Sequence, residues 1–569
     1  MKKNIIILAL TITIAGLTGC KKFLAEQNPS GITNNNYYTN TAGYEALVNS
    51  CYASLKNIYS INPSLFEWGT DVTTRGEIEL VSGSANIQPA IDLDEYTSLS
   101  STNPEVATFF SAAYAGIQRC NTAINRANSI PDLTDSLKRK RVAEVKFIRA
   151  FYYYLLVENF GGVPIVQDEF TSAVTHFVPN TEQQVYDFMI KDLNDALPDL
   201  TADPGKTDFG RATQAAVKQL LSLLYLTRGY KTFAAADDFQ KSAQLSEDVI
   251  NSPYYTLLPS FSDVFKPGNE RNKEIIFSIQ YEPGQTIPSG QTGPGHGQNI
   301  MFGWRYWREK GFDEVSGLVP YNRRRSDFMP TQFLYTLYNT IKDSRYDGTF
   351  LSNLYATKDD GVVKKGDLRY YFPYPDQPFT SADSITLKTA NPNVEIIRFD
   401  MWKQAFNNVG GLEKFPMVNK FYDPNAPIPG NNEFAWTGTR DIFIFRLAET
   451  YLVAAEAYFK MGQPDKAAQK LNVIRARAAK AGQDLSITSA DVTLDFILDE
   501  RARELEGEYK RWLDLKRTRK LLRGFQNNNL TLMTNPGATE TSIQKYYLRP
   551  IPQSVIDRDT EGYPQNNGY

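Results

Sequence analysis

The strongest constraint on the fold is a succession of helix-period segments, most of them bounded by a start or stop signal. Residues 43–59 carry Leu47, Val48, Cys51, Leu55 and Ile58 at helical spacing. Residues 103–127 open on Asn103-Pro104-Glu105, which reads as an N-cap, a first-turn proline and a first-turn acid. Residues 135–160 run into Gly161-Gly162, a stop signal. Residues 181–197 start at Thr181-Glu182 and meet Pro198, and the pair 213–230 and 238–251 closes at Ser252-Pro253. Helical patterns return over 440–461, 465–481 and 491–522. Between the first two of these, Gly462 and Pro464 mark a tight helix–turn–helix, and the small Ala455, Ala457, Ala467 and Ala468 permit close packing. Such pairs are similar to tetratricopeptide units, although no strict period links them.

The middle of the chain reads differently. From 254 to 439, short β-like runs (274–280 and 396–399) alternate with loops rich in Gly, Pro, Asn and Asp, and one helical insert is expected over 331–343. Loops of this length in a compact protein usually carry function. The expected organisation is therefore 1–19 as a leader, 20–40 as anchor and tether, 41–253 as the first part of a helical scaffold, and 254–439 as an irregular ligand-binding lobe. Residues 440–522 would be the second part of the scaffold, and 523–569 an irregular C-terminal segment. The fold class is mostly α, a tetratricopeptide-like scaffold bearing a loop-rich lobe with short strands.

The N-terminus points to export. Lys2 and Lys3 precede an apolar run over 5–17, too short to span a bilayer and laid out as a signal peptide. The run ends in Leu17-Thr18-Gly19-Cys20, which resembles a bacterial lipobox, so that Cys20 is the expected acylation site. Lys21 and Lys22 carry no Asp retention signal, which permits outer-membrane sorting. Several acyl chains on one cysteine would suffice for stable anchoring. The two remaining cysteines, Cys51 and Cys120, fall in helical patterns and read as buried free thiols.

Charge is balanced, with 61 Lys+Arg against 64 Asp+Glu, so no basic surface calls for nucleic acid. Only His176 and His296 occur, which argues against a histidine triad or a His-rich zinc site. No nucleotide-binding glycine motif or nucleophile elbow appears, and no cofactor is expected. A binding protein is the expected class, not an enzyme. A carbohydrate hydrolase stays open as an alternative, because carboxylate pairs cannot be sorted from sequence alone.

The chain is rich in rings, with 33 Tyr, 33 Phe and 6 Trp. Rings in loops suit sugars, whose C–H faces pack on aromatic faces while hydroxyls take planar polar partners. Trp68, Asp71 and Arg75 share a loop after the first helix; Asp71 and Arg75 would either touch ligand or pair with each other. Trp304-Arg305-Tyr306-Trp307-Arg308 follows a Gly-rich stretch, and Tyr321 lies next to three arginines. Trp304, Trp307, Tyr321, Trp402 and Trp436 complete the candidate ligand contacts, although arginine beside a ring can equally be structural. Nearby arginines would also suit an acidic glycan or a peptide carboxylate.

Further segments carry a family resemblance. Arg149-Ala150-Phe151-Tyr152-Tyr153-Tyr154-Leu155-Leu156 runs into Phe160-Gly161-Gly162-Val163-Pro164-Ile165. Asp499-Glu500-Arg501-Ala502-Arg503-Glu504-Leu505 continues to Arg511-Trp512-Leu513-Asp514-Leu515-Lys516-Arg517. The tail holds Leu548-Arg549-Pro550-Ile551-Pro552-Gln553 and ends in Pro564-Gln565-Asn566-Asn567-Gly568-Tyr569. With Arg446-Leu447-Ala448-Glu449 and the lipobox, the chain resembles the SusD/RagB family of Bacteroidetes outer-membrane lipoproteins, from end to end and in order. Read on their own, these motifs look structural: Glu500, Arg501, Arg503 and Glu504 could satisfy one another across helical turns, and Tyr153 and Trp512 belong to the core. The resemblance implies four tetratricopeptide-like helix pairs with the ligand site on the irregular lobe. It also implies a SusC-like TonB-dependent barrel as partner, under a lid that captures oligosaccharides or polysaccharides and passes them in. Some members of the family carry peptides instead. Trp68, Asp71 and Arg75 would be ligand contacts by the same resemblance.

Overall fold

A computed structural model describes residues 37–59, 63–76, 88–96, 98–170, 172–205, 208–282, 295–304, 306–312, 321, 327–401, 414–426, 438–528 and 538–569. Six long helices come first: α1 (Thr41–Ser54), α2 (Pro104–Arg126), α3 (Asp135–Phe160), α4 (Glu182–Ala196), α5 (Gln214–Arg228) and α6 (Asp238–Ile250). Side chains cap the starts of α2, α3 and α4, at Asn103 and Thr181 where the sequence signals lay and at Thr134 where none was read. Asn103 accepts from the amides of Glu105 and Val106, Thr134 from Leu137, and Thr181 with Gln184 closes a reciprocal capping box. At the far end of α3, Gly161 takes φ +75° and its N–H closes on Val157 O.

Each helix packs on the next, α1 on α2 through to α6, and α6 then packs on α7 (Leu447–Lys460). Helix α7 in turn packs on α8 (Pro464–Ala478) and α9 (Leu494–Leu505). The stack is thus continuous in space although some 200 residues of chain separate α6 from α7. That excursion is tied at its neck. Strand β2 (Ile275–Ile279) pairs antiparallel with β7 (Ile442–Arg446), and every residue of both is buried.

Within the excursion, β3 (Phe328–Pro330) pairs with β1 (Thr73–Arg75), sewing the loop after the first helices to the middle of the chain. A three-stranded sheet is formed by β4 (Asn353–Tyr355), β5 (Leu368–Tyr371) and β6 (Glu395–Ile396), antiparallel then parallel. One large core runs through both the helices and the excursion, and a smaller one lies among α7, α8 and α9 around Leu452, Ala455, Ala467 and Leu471.

Three expectations need correction. Residues 440–461 are not one helix, because Ile442–Arg446 is a strand: a short apolar run buried on both faces cannot be told from a helix by periodicity. Residues 491–522 break into α9 and α10 (Arg511–Arg517) because Gly507 and Tyr509 take positive φ. A Cβ at Gly507 would lie 2.7 Å from the Phe421 ring, and Tyr509 N–H donates to buried Glu67 (2.9 Å). Tertiary contacts there override the helix pattern. The insert over 331–343 is helical only across Gln332–Thr336, capped by Thr331.

Candidate functional site

The loop after the first helices is an interior structure. Trp68 is buried, its indole N–H donating to Asp327 O (3.1 Å) and its ring centroid 5.5 Å from that of Phe328. Asp71 is fully buried and does not pair with Arg75. It takes a two-pronged hydrogen bond from Arg511 (2.6 and 2.7 Å) and a third bond from Arg523 (3.0 Å). Burial alone would raise its pKa, but the two guanidiniums outweigh burial and hold it below the usual carboxylate range. Arg75 pairs instead with Glu95 (3.0 Å) and keeps about a third of its side chain exposed (33%). Among the described candidates, Arg75 alone faces solvent to that degree.

Trp304 and Trp307 do not form a surface platform. Trp304 is 1% exposed, and Trp307 and Tyr321 are buried with it. Tyr306 sits at the centre of this cluster, edge-on to Trp304, Trp307, Phe312 and Tyr321 at 5.3–6.0 Å. Trp304 also meets Tyr370 edge-on at 5.1 Å. Edge-to-face packing of this kind consumes ring faces that a sugar would need. The Tyr321 hydroxyl is spent as well, accepting from Tyr355 N–H (2.7 Å) and donating to Tyr355 O (3.3 Å). The rings belong to the buried core of the excursion. Trp402, Trp436 and Cys20 lie outside the described residues. His296 is structural: buried, with Nε2 on Arg440 O (2.8 Å), Nδ1 accepting from Gln298 N–H, and a pKa pushed by burial down to about 4.

Two clefts of appreciable volume open among the described residues. One, about 280 Å³, lies where the end of α1 meets the loop before α5 and the edge of β2. Tyr52, Phe209 and Phe277 supply its rings, and Asn49, Lys56, Arg211 and Gln280 its polar groups. Gly210 (φ +89°) allows the Gln280 side chain to lie against the backbone, where a Cβ would come within 2.3 Å of it. Sequence reasoning nominated none of these residues. The one available signal was a lysine, Lys56, set between buried Leu55 and Ile58.

The other cleft, about 360 Å³, is apolar, walled chiefly by Phe110, Tyr114, Val166, Phe170, Phe177 and Tyr563. A clasp closes one edge of it: His176 Nδ1 meets Asp559 Oδ1 at 2.7 Å, and Phe177 N–H donates to Asp559 Oδ2 (2.9 Å). The first cleft can stack a ring and bond hydroxyls or charge, whereas the second is chiefly suited to desolvating apolar groups, with Gln118 and Arg558 as polar groups in its wall.

With the geometry established, comparison with known proteins is decisive for the family. The SusD family model matches residues 273–569, more than half of the chain. The chain belongs to the SusD family. A second family model, starch-binding associating with outer membrane, matches residues 22–226. SusD-like protein P2 of Formosa agariphila is 28% identical across 100% of this chain and 99% of its own length. Starch-binding protein SusD of Bacteroides thetaiotaomicron is 26% identical across 77% of this chain and 74% of its own. Among solved structures, a laminarin-binding SusD-like protein superposes with a TM-score of 0.69 at 22% identity, covering 94% of this chain and 100% of that one. Surface glycan-binding protein A of Bacteroides thetaiotaomicron, in complex with laminarihexaose, gives 0.67 at 21%, covering 93% and 100%. At these identities the solved structures establish the shared fold.

Proposed function

We propose that this SusD-family chain is a lipid-anchored outer-membrane protein that captures oligosaccharides at the cell surface and delivers them to a SusC-like TonB-dependent barrel. The observation that carries the reading is the end-to-end family match, together with relatives named for starch and laminarin binding. The Leu17–Cys20 lipobox supports the anchor. Binding without catalysis fits a chain whose two histidines are spent on Arg440 O and on Asp559. Arg75 stands as a polar contact for ligand.

Calorimetry of the soluble protein against neutral glycans, acidic glycans and short peptides is the test. Micromolar-to-millimolar binding of a glycan, without release of new reducing ends, is the expected result. Glycan cleavage would replace the reading with a hydrolase. The apolar cleft at Phe110 and Phe177 favours one alternative, capture of a peptide through an apolar side chain, and binding of peptides only would establish that instead. Co-purification of the barrel from outer membranes tests delivery, and loss of membrane retention in Cys20→Ser tests the anchor.

A further inference from the structure

Lys56 occupies an unusual position. Its ammonium lies 4.2 Å from the centroid of the Tyr281 ring, half-buried, and no described carboxylate comes within the 4.0 Å of an ion pair. Buried lysines are ordinarily paired. The nearest acids do not supply the partner. Asp441 and Glu282 attract Lys56 only from a distance, and burial, the larger influence, lowers the pKa of the amine. Asp441 is itself engaged, accepting from Ser278 Oγ (3.1 Å) and Tyr281 N–H (3.1 Å).

The other charges of the cleft have partners outside it. Arg211 bonds Glu144 (2.8 Å), Glu45 (3.4 Å) and Asn49 Oδ1 (2.7 Å), and Asp208 pairs with Lys140 (3.2 Å). Lys56 is therefore the one cation lining this cleft without a counter-charge among the described residues. Around it are the elements of a sugar site: the Tyr52 and Phe209 rings, the Asn49 amide, whose oxygen Arg211 already holds, and the Gln280 amide. The volume, about 280 Å³, is close to the lower end of ordinary ligand sites, roughly 300 Å³. It suits a terminal sugar rather than a length of polymer.

We propose that this cleft binds a carboxylate-bearing sugar, a uronate at the end of a captured glycan, with Lys56 as counter-ion to the carboxylate. The proposal rests on the glycan-capture reading and adds a place and a substrate class to it. A neutral sugar would leave the ammonium unmatched, whereas a uronate matches it and keeps the ring stacking.

The test is calorimetry with glucuronate- and galacturonate-terminated oligomers, their methyl esters, matched neutral oligomers and an N-acetylated dipeptide. These are run on the parent, Lys56→Met, Lys56→Gln and, as a distant control, Lys364→Met. The expected result is at least ten-fold tighter binding of a uronate oligomer than of its methyl ester. That preference should vanish in both Lys56 variants with melting temperatures unchanged, and persist in the control. Equal binding of acid and ester by the parent, or an undiminished preference in the Lys56 variants, would overturn the proposal while glycan capture stands on the neutral oligomers. A dipeptide that outcompetes every uronate would overturn the ligand class. Failure of every glycan to bind would overturn the capture reading and this proposal with it.

Discussion

Trp304 and Trp307 illustrate how residue type without depth misleads. Two tryptophans beside arginines in a Gly-rich stretch read as surface rings, but side-chain packing decides exposure, and both join the many buried rings, Phe302, Tyr306, Phe312 and Tyr370 among them, that fill the excursion's interior. Truncating either to Ala should therefore cost about 3–5 kcal/mol, as for other buried large aromatics. A clearly lowered denaturant midpoint is expected; an unchanged midpoint with lost glycan binding would return them to the ligand site. By contrast, Tyr153 and Trp512 were legible as core, because each sits in a dense apolar run of a helical segment. Both are fully buried, the Tyr153 hydroxyl donating to Val166 O (3.1 Å) and the Trp512 indole to Tyr96 Oη (3.1 Å). Glu67 gives a second prediction at this scale. Burial raises its pKa to about 7, against the opposing hydrogen bonds from Thr73 and Tyr509. The folded state then holds a proton that the unfolded chain has released, so stability falls as pH rises from about 4.5 to 7. Glu67→Gln should remove that fall, stabilising the protein above pH 7 by at most about 3 kcal/mol and leaving it unchanged near pH 4.5. Urea titrations at both pH values check the sign.

At the scale of elements, helices were legible wherever caps and stops lay in the sequence itself. Asp135–Phe160 ends at its Gly-Gly stop, and α4 begins after Thr181, where the sequence placed its start. Boundaries failed where a distant contact sets the backbone, as at Gly507 and Tyr509, whose partners Phe421 and Glu67 lie far off in sequence. The position of β7 depended likewise on its pairing with β2, which a single chain's pattern does not reveal. Close approach of α2 to α3 gives a test of element packing. Gly116 on α2 faces the Tyr152 ring, and a Cβ there would lie 2.2–2.6 Å from Tyr152 Cζ, Cε2 and Oη. The Tyr152 hydroxyl is also bonded to Ser54 Oγ on α1 (2.8 Å), so the ring cannot swing away without breaking that bond. Gly116→Ala should lose about 1–3 kcal/mol by overpacking, although alanine is the better helix former. A thermal melt higher than the parent's would mean that helix propensity outweighs the clash.

Across the whole molecule, the excursion and the helices are joined by a buried ionic network that no sequence motif displays. Glu504 on α9 takes Arg345 (3.1 Å), Arg446 (2.7 Å) and Arg477. Arg345 also meets Asp343 (2.7 Å) and Glu500 (2.8 Å), and Arg446 meets Glu274 (3.0 Å) and Glu508 (2.7 Å). The sequence suggested that Glu500 and Glu504 pair within their own helix; only Glu500 with Arg503 does so (2.6 Å), and the other partners come from residues 345 to 477. Burial would raise the pKa of Glu504, but Arg477, Arg446 and Arg345 outweigh it and keep the carboxylate charged. A group held in this way contributes stability that is present above the ordinary carboxylate range and lost on strong acidification. Removing its charge at neutral pH should act more directly. Glu504→Gln leaves three guanidiniums facing a neutral amide in the interior, where breaking a buried pair typically costs about 3–5 kcal/mol. Because the network ties Glu274, just before β2, together with β7, α8 and α9 to residues 343–345, that loss should be felt by the helices and the excursion together. Thermal unfolding followed by far-ultraviolet dichroism for the helices and near-ultraviolet dichroism for the Trp304–Tyr306–Trp307 cluster should shift down by the same amount and stay superimposable. If the near-ultraviolet signal melts first and the helical signal does not move, the excursion unfolds as a separate unit and the network does not couple the two.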